Sequence, residues 1–441
     1  MRLKATGAGA RLRYWTTFAA ALVAAACLEG DGRTDTIDSA DPGAAFGADP
    51  AHLRAGPPRV RLGSASGDGP TDFHDIAGVV VDRPAGALVV ANRGDATLRT
   101  FTLDGTWRGT RGGAGGGPRE LGELTALFGY RGDSVLVYDE ARGGASVWPY
   151  AGGDVRRVGV PIPPGDTLQS PRLRGAMDDG RLVWAVPGPD RTVDEMGESH
   201  PLQVVIFLSS AEGTGFDPVA ETTGTRVFRY PGDSYISGRI PFSPQPFVLP
   251  RDSILLFGST ARSRAERVTG SGTPLAPIEF SMPSVPVTAE DREMALVPIR
   301  SEMNRLLPTQ LRTRIAATLD VWAFPDSFPP LGNVIAGADG RVWVTGYRPR
   351  ADTARGEDEA SVWSVYAGPG SPAVNVEFPG GFELLWADET EAVGVVRDDL
   401  DVEHVLVVPL PTGARTPART PARTPGARCR PGYTTSVAPC A

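Results

Sequence analysis

The chain has 441 residues, including 54 glycines and 41 prolines, and a formal net charge of −8. Residues 1–26 carry four basic side chains and residues 412–441 carry five, with no acidic one in either segment, so residues 27–411 carry a net charge of −17. An acidic body of this kind repels phosphate backbones, which argues against nucleic-acid binding.

The first 26 residues have the features of a secretion signal. A basic region, Met1–Arg13, precedes an apolar stretch, Tyr14–Ala26, that is too short for an ordinary membrane-spanning helix. The alanines at 24–26 followed by Cys27 resemble a bacterial lipoprotein signal, which implies cleavage before Cys27 and its lipidation. The alternative is cleavage at an A-x-A site by ordinary signal peptidase, with Cys27 incidental. Either cleavage places the mature protein outside the cytoplasm, in the periplasm or at the cell surface.

Two further segments have compositions that disfavour a packed core. Residues 27–58 are rich in Asp, Gly and Pro with few large apolar side chains, which predicts a flexible acidic tether. Residues 412–441 repeat Arg, Thr and Pro, which predicts a disordered tail. Within that tail Cys429 and Cys440 are candidates for a local disulfide in an oxidising compartment, and the alternative is two incidental thiols.

Between these segments, residues 59–411 show a repeating pattern of paired apolar runs. Six first runs each follow a tight turn and read LVVAN, VLVYD, LVWAV, ILLFG, VWVTG and AVGVV, beginning at residues 88, 135, 182, 254, 342 and 392. A second apolar run follows each after a polar gap. A supersecondary unit repeated in this way is typical of radially arranged blades. The sequence therefore predicts an all-β fold, a six-bladed β-propeller with four-stranded antiparallel blades.

Counting outer strands indicates how the ring closes. Only five of the predicted blades have their own outer strand, because after Val405–Val408 the chain runs into prolines. The segment Gly67–Phe73 matches Gly115–Leu121, which follows the outer strand of blade one, so Val60–Leu62 should likewise be an outer strand. We therefore expect an N-terminal strand to complete the last blade, since closure removes exposed sheet edges.

The segment Gly67–Phe73, with the sequence GDGPTDF, also carries a family resemblance. It resembles the G-x-G-P-x-[DE]-F junctions between blades of six-bladed propellers of the NHL and TolB-like kind, and Gly115–Leu121 is similar, with leucine for phenylalanine. The resemblance implies a propeller over residues 59–411.

Connection lengths differ between the two ends of the predicted blades. The A–B and C–D turns are short, whereas long connections fall on the B–C and D–A face, which we therefore expect to carry the function. One of them, about 288–320, is a helical insertion before blade five, with a capping box at Thr288 and Asp291. This insertion is either a lid over the channel mouth or a buttress packed on the blade edges.

The sequence has no HExxH, CxxC, GxSxG or Walker motif. What remains is a set of ionisable residues expected near the variable face, for which local turn or solvated roles are the alternative. The candidate binding residues are His74, Asp139, Asp399, Asp401, Glu403 and His404. If residues 399–403 are extended, the alternating carboxylates lie on one side, and a divalent cation or basic partner could be held between the last and first blades.

Two functions follow from this pattern. The first is an extracytoplasmic propeller, anchored by lipid alone, that binds a protein or small-molecule ligand without catalytic residues or a required cofactor. The alternative is a metal-dependent hydrolase or lyase of the lactonase kind, with its site at the channel mouth, which the weak match of acidic residues and histidines suggests. Bound metal in purified protein would favour the enzyme, and an apolar metal-free channel would favour the binder.

Overall fold

The computed structural model describes residues 51–66, 69–164, 170–187, 199–229, 237–306, 324–347 and 360–411, and single positions between 309 and 322. These residues form six sheets, one for each predicted blade. Strands and helices are numbered here in chain order. The two N-terminal strands are β1 (Ala51–Arg54) and β2 (Val60–Leu62).

The first three blades follow one another along the chain. Blade one comprises β3 (Ile76–Asp82), β4 (Ala87–Asn92), β5 (Thr97–Thr102) and β6 (Trp107–Gly112). Blade two comprises β7 (Leu124–Tyr130), β8 (Ser134–Asp139), β9 (Gly144–Pro149) and β10 (Arg156–Val158). Blade three comprises β11 (Arg172–Ala176), β12 (Leu182–Pro187), β13 (Ser199–Ser209), β14 (Asp217–Arg229) and a fifth strand, β15 (Ser237–Arg239).

The last three blades complete the ring. Blade four comprises β16 (Pro246–Arg251), β17 (Ile254–Ser259), β18 (Arg264–Thr269) and β19 (Pro274–Glu279). Blade five comprises β20 (Leu331–Ala336), β21 (Val342–Gly346), β22 (Ala360–Tyr366) and β23 (Val374–Gly380). Blade six has β24 (Glu383–Ala387), β25 (Glu391–Arg397) and β26 (Glu403–Pro409) of its own.

Ring closure confirms the prediction made from the outer-strand count. Strand β2 pairs antiparallel with β26, with Val60 opposite Val407 and Leu62 opposite Val405. Val60 and Leu62 are buried while Arg61 between them is exposed, as the two-residue period of a strand requires. Blade six thus obtains its fourth strand from the N-terminal end of the domain.

The tether prediction needs correction at its C-terminal end. Strand β1 pairs in parallel with β23 and extends blade five by a strand. Leu53 packs against the apolar cluster between blades five and six, and Arg54 forms an ion pair with Glu377 at 2.6 Å. One partly buried leucine and the backbone pairing order this segment despite its polar composition. Residues 27–50, Cys27, Cys429 and Cys440 lie outside the described residues.

The core consists of apolar layers between neighbouring blades. In the cluster between blades one and two, for example, Val89 and Leu98 of blade one pack with Val137 and Trp148 of blade two. Trp148, Trp343 and Trp363 are core residues, since each is at most 2% exposed. Each blade therefore buries its apolar faces only by stacking on its neighbours.

The insertion before blade five contains helix α1 (Ala289–Leu306). The predicted capping box is present: the Asp291 N–H donates to Thr288 Oγ1 at 3.2 Å, and Thr288 N–H donates to Asp291 Oδ2 at 2.8 Å. The buried residues of the helix, Leu296 and Met303, pack with Trp322 in a separate small cluster. Ile240, which precedes blade four, belongs to the same cluster, so the helix packs against the connection between blades three and four.

Part of the long connection expected at Thr225–Pro246 is regular structure. Strand β14 continues to Arg229 and pairs with β15, so that blade three has an additional antiparallel strand. Phe242, from the same connection, packs edge-on against Phe328 with ring centroids 4.9 Å apart. This aromatic contact joins the connection to the segment that follows the insertion.

Candidate functional site

A central channel is bounded by the innermost strand of each blade, β3, β7, β11, β16, β20 and β24. It contains a cavity of about 1240 Å³, lined by Tyr150 and by residues 79–84, 127–132, 174–178, 249–252, 335–336, 338–339, 385–386 and 388–390. These residues belong to the second halves of the inner strands and to the A–B turns that follow them. The cavity therefore opens on the A–B face, opposite the face that the connection lengths favour.

Aspartates in the A–B turns give this mouth a fixed rim. Asp82 Oδ1 accepts the N–H of Ala85 at 2.8 Å, and Asp339 Oδ1 accepts the N–H of Arg341 at 3.0 Å. Asp388 Oδ1 accepts the N–H of Thr390 at 2.7 Å in the same manner. Each carboxylate closes its own turn as an Asx turn does, so the rim is held by local hydrogen bonds.

Arg83 links blades one and six at this rim. Its guanidinium hydrogen-bonds Asp388 and reaches Glu391 at 2.9 Å. Burial favours the neutral form of Asp388, but the hydrogen bonds from Arg83 and the Thr390 N–H outweigh burial and hold the pKa of Asp388 below its ordinary value. Arg83 is therefore fully engaged in the protein's own structure.

Arg174, on β11, differs from the other arginines of the channel. Its Nε is buried without a hydrogen-bond partner, and among the described residues no carboxylate forms an ion pair with it. Burial lowers the pKa of Arg174, and the neighbouring positive charge of Arg172 lowers it further. Arg172 itself points outward and pairs with Glu140 at 2.9 Å. Arg174 is thus a half-buried cation with a buried Nε, and the described residues do not neutralise it.

A β-bulge gives Arg174 its position. Strand β11 has one extra residue relative to β12, because Leu173 pairs with Trp184 and Gly175 pairs with Val183. The inner strands of blades one, two and six also have a bulge, at Ala77, Thr125 and Leu385, and only the one at Leu385 lies as near the end of its strand as that at Arg174. A bulged residue is turned out of the regular alternation, which is how strands re-aim a side chain. Of these four bulged residues, Arg174 is the one with a charged side chain.

The walls near Arg174 are mainly apolar. A Cβ at Gly175 would lie 2.7 Å from Pro250 Cγ and 3.5 Å from Phe128 Cδ1, so blades two, three and four approach closely at this level. Across the channel, Tyr150 lies beside Asp82, and burial together with the charge of Asp82 raises the pKa of Tyr150 well above its ordinary value. Tyr150 consequently stays neutral. The cavity therefore has apolar walls beside Arg174, while Arg131, a second arginine of the lining, lies over the Tyr130 ring.

Of the blade-six candidates, Glu403 contacts blade one, and Glu403 and His404 both form contacts with other residues of the protein. Glu403 is buried, and its Oε2 accepts the N–H of Ile76 at 2.8 Å while Arg397 donates to its Oε1 at 2.7 Å. His404 Nε2 lies 2.9 Å from Asp398 Oδ2. The contact of Glu403 with Ile76 joins the last blade to the first, and the other two contacts lie within blade six.

The expected extended run through Asp399 and Asp401 is wrong. Asp398 Oδ1 accepts the N–H groups of Leu400 and Val402, both at 3.0 Å, and so closes a turn. Asp401 has a φ of 60°, a left-handed conformation that an extended strand excludes. Because the turn separates them, the carboxylates of Asp399, Asp401 and Glu403 do not align on one side.

The other two candidates are also set apart from this cluster. Asp139 is 2% exposed and accepts the N–H groups of Gly122, Glu123 and Arg142 at 2.7, 2.9 and 3.2 Å. His74 is exposed, and its N–H donates to Asn92 Oδ1 at 2.7 Å. Within the described ranges no group of three or more His, Cys, Asp or Glu side chains is arranged to hold a metal ion.

Sequence reasoning missed Arg174. The available signal was an arginine in the middle of an inner-strand segment, Leu173–Met177, whose counterparts in other blades are mostly apolar or small. The bulge that aims it into the channel depends on pairing with β12 and has no sequence motif.

No protein-family model and no curated protein match the sequence. Solved structures that are similar include regucalcin, a calcium-binding protein from Agrobacterium tumefaciens strain C58. Its sequence identity is 13%, the match covers 82% of this chain and 96% of that chain, and the TM-score is 0.39. A gluconolactonase from Xanthomonas campestris has 12% identity, coverage of 84% and 99%, and a TM-score of 0.42. A virginiamycin B lyase from Staphylococcus aureus has 12% identity, coverage of 79% and 98%, and a TM-score of 0.33. The likeness is one of propeller fold.

Proposed function

We propose that this protein is a ligand-binding propeller module whose ligand enters the central channel from the A–B face. The observation that carries the proposal is the cavity of about 1240 Å³. Small-molecule sites are concave, mostly apolar and largely preformed, with volumes of roughly 300–1,000 Å³. A cavity of this size, lined by all six blades, can take a small organic molecule.

The mouth of the cavity supports binding because it is already ordered. The A–B turns are closed by their own aspartates, and the Arg83–Asp388 contact holds the first and last blades together. A preformed site loses less conformational entropy on binding than one that must order its loops. The ligand therefore meets walls that are in place before it arrives.

We also propose that the protein is exported and attached to a membrane. The basic segment, the short apolar stretch and Cys27 support export and attachment by a lipid on Cys27. Within the described part of the chain, no helix combines the length and hydropathy needed to cross a bilayer. An exported propeller held at a membrane by its N-terminus would keep its channel accessible to solutes.

The rival function is a metal-dependent hydrolase or lyase. Its candidate oxygen and imidazole donors are Glu403, His404 and Asp398, and these pair with Arg397, the Ile76 N–H and each other. A cation would have to displace those partners, including a contact that joins blades six and one. The binding module therefore accounts better for these residues.

Filling the channel tests the binding proposal. Gly129 faces the cavity, and a Cβ there would make only an ordinary contact with Val80, so Gly129→Trp should fold while occupying the mouth. Gly109→Trp on the outer strand β6, where a Cβ meets nothing within 4 Å, is the matched control. In a thermal-shift screen of small organic molecules, compounds that stabilise the parent protein and Gly109→Trp should not stabilise Gly129→Trp. Equal stabilisation of both variants would place the ligand elsewhere.

A further inference from the structure

We propose that the channel selects a monocarboxylate with an apolar body, and that Arg174 binds its carboxylate. The inference rests on the proposed function and adds the chemistry of the ligand. It depends on three observations: an unpaired cation, apolar walls beside it, and an acidic mouth.

The first observation is the unpaired guanidinium. Arg83 has Asp388 and Glu391, Arg172 has Glu140, and Arg251 donates to the carbonyl of Ala338, whereas Arg174 has no such partner among the described residues. A partly buried charge without a counterion costs free energy, and a bound group of opposite charge would offset that cost. The planar fork of an arginine fits the two oxygens of a carboxylate.

The second observation concerns the ligand's body. Phe128 and Pro250 lie beside Gly175, the residue after Arg174, and Leu249 and Met177 also line the cavity. Apolar surface of this kind gains free energy when it contacts an apolar group instead of water. The ligand should therefore carry an aliphatic or aromatic portion next to its carboxylate.

The third observation concerns the total charge of the ligand. The carboxylates of Asp178, Asp252 and Glu389 are exposed at the mouth of the cavity, and the domain as a whole is strongly acidic. One guanidinium compensates one negative charge, and the acidic mouth repels the remainder of a multiply charged anion. A monocarboxylate is therefore favoured over a phosphate dianion.

The test compares acids with their neutral amides. The probes are octanoate and octanamide, phenylacetate and phenylacetamide, and inorganic phosphate, each titrated calorimetrically into the full mature chain. In the parent protein each acid should bind at least about tenfold more tightly than its amide, as expected for a charge-assisted contact. In Arg174→Met this preference should disappear while amide affinity stays within about twofold. Arg172→Met, two residues away and facing outward, should keep the preference.

A structural role for Arg174 would give a different result. Removing an unpaired buried cation should leave the melting temperature unchanged or raise it, whereas loss of a structural contact would lower it. If amides bind as tightly as acids, the inference is wrong although the channel still binds ligands. Tighter binding of phosphate would also overturn the inference. If neither acids nor amides bind, this inference is wrong, and the thermal-shift screen with Gly129→Trp tests the binding function separately.

Discussion

At the scale of single residues, charged side chains differ in whether other residues of the protein pair with them. Asp139 and Glu403 are buried carboxylates whose oxygens accept several N–H groups, so their charge is used in holding turns and strands together. Arg174 is half-buried, and no carboxylate of the described residues forms an ion pair with it. A buried charge with partners indicates structure, and one without partners indicates a binding role.

The contrast between Asp139 and Asp399 gives a direct test. Asp139→Asn should lower the free energy of unfolding by about 2–3 kcal/mol, because the introduced amide nitrogen would face a backbone N–H that the carboxylate oxygen now accepts. Asp399→Asn, at an exposed turn position, should change it by less than about 0.5 kcal/mol. Urea denaturation measures both values. Equal stability of the two variants would contradict the structural role of Asp139.

At the scale of elements, two short strands, β1 and β2, contribute to ring closure because of where they pair. Strand β2 has three residues, yet it supplies the outer edge of blade six and packs Val60 and Leu62 into the cluster shared with blade one. Strand β1 extends blade five from the same N-terminal segment. Residues 51–62 thus connect two consecutive blades at the point where the ring closes.

The closure strand can be tested by substitution within it. The double variant Val60→Ala with Leu62→Ala should cost about 3 kcal/mol or more, because two buried side chains at the seam between blades lose their contacts. Arg61→Ala lies on the same strand with an exposed side chain and should cost less than about 0.5 kcal/mol. Deleting residues 28–50, which precede β1, should be nearly silent. Melting temperatures of the three variants compare these effects, and a double variant as stable as Arg61→Ala would argue against closure through β2.

At the scale of the whole molecule, the two faces of the ring have different roles. The B–C and D–A face carries the long connections and the helical insertion, whose described residues pack as a buttress. The A–B face has short turns and the open end of the channel. Short, internally hydrogen-bonded turns leave an inner cavity uncovered, whereas long connections have the length to cover the opposite end.

The proposed membrane attachment also concerns the molecule as a whole. If Cys27 is lipidated, the parent protein should sediment with membranes and Cys27→Ser should be released into the soluble extracytoplasmic fraction. Cys429→Ser is the matched control, since the tail cysteine should not affect attachment. Membrane fractionation followed by immunoblotting measures both. A Cys27→Ser variant that stays with the membrane would rule out the anchor.

The sequence by itself determined the blade number, the inner strands, the closing role of Val60–Leu62 and the capping box of α1. These features depend on local periodicity, turn residues and a count of strands, all of which are present in the chain itself. The seam between blades six and one was predictable for the same reason, because closure makes the first and last blades neighbours.

Only the tertiary structure decided which face holds the cavity and what the acidic candidates do. Asp399 and Asp401 look like an alternating strand in sequence, but the hydrogen bonds of Asp398 make a turn there. Arg174 enters the channel through a bulge set by the register of β11 against β12. Register and the meeting of blades arise from pairings between distant residues, so local sequence patterns predict a strand without predicting which charge within it remains unpaired.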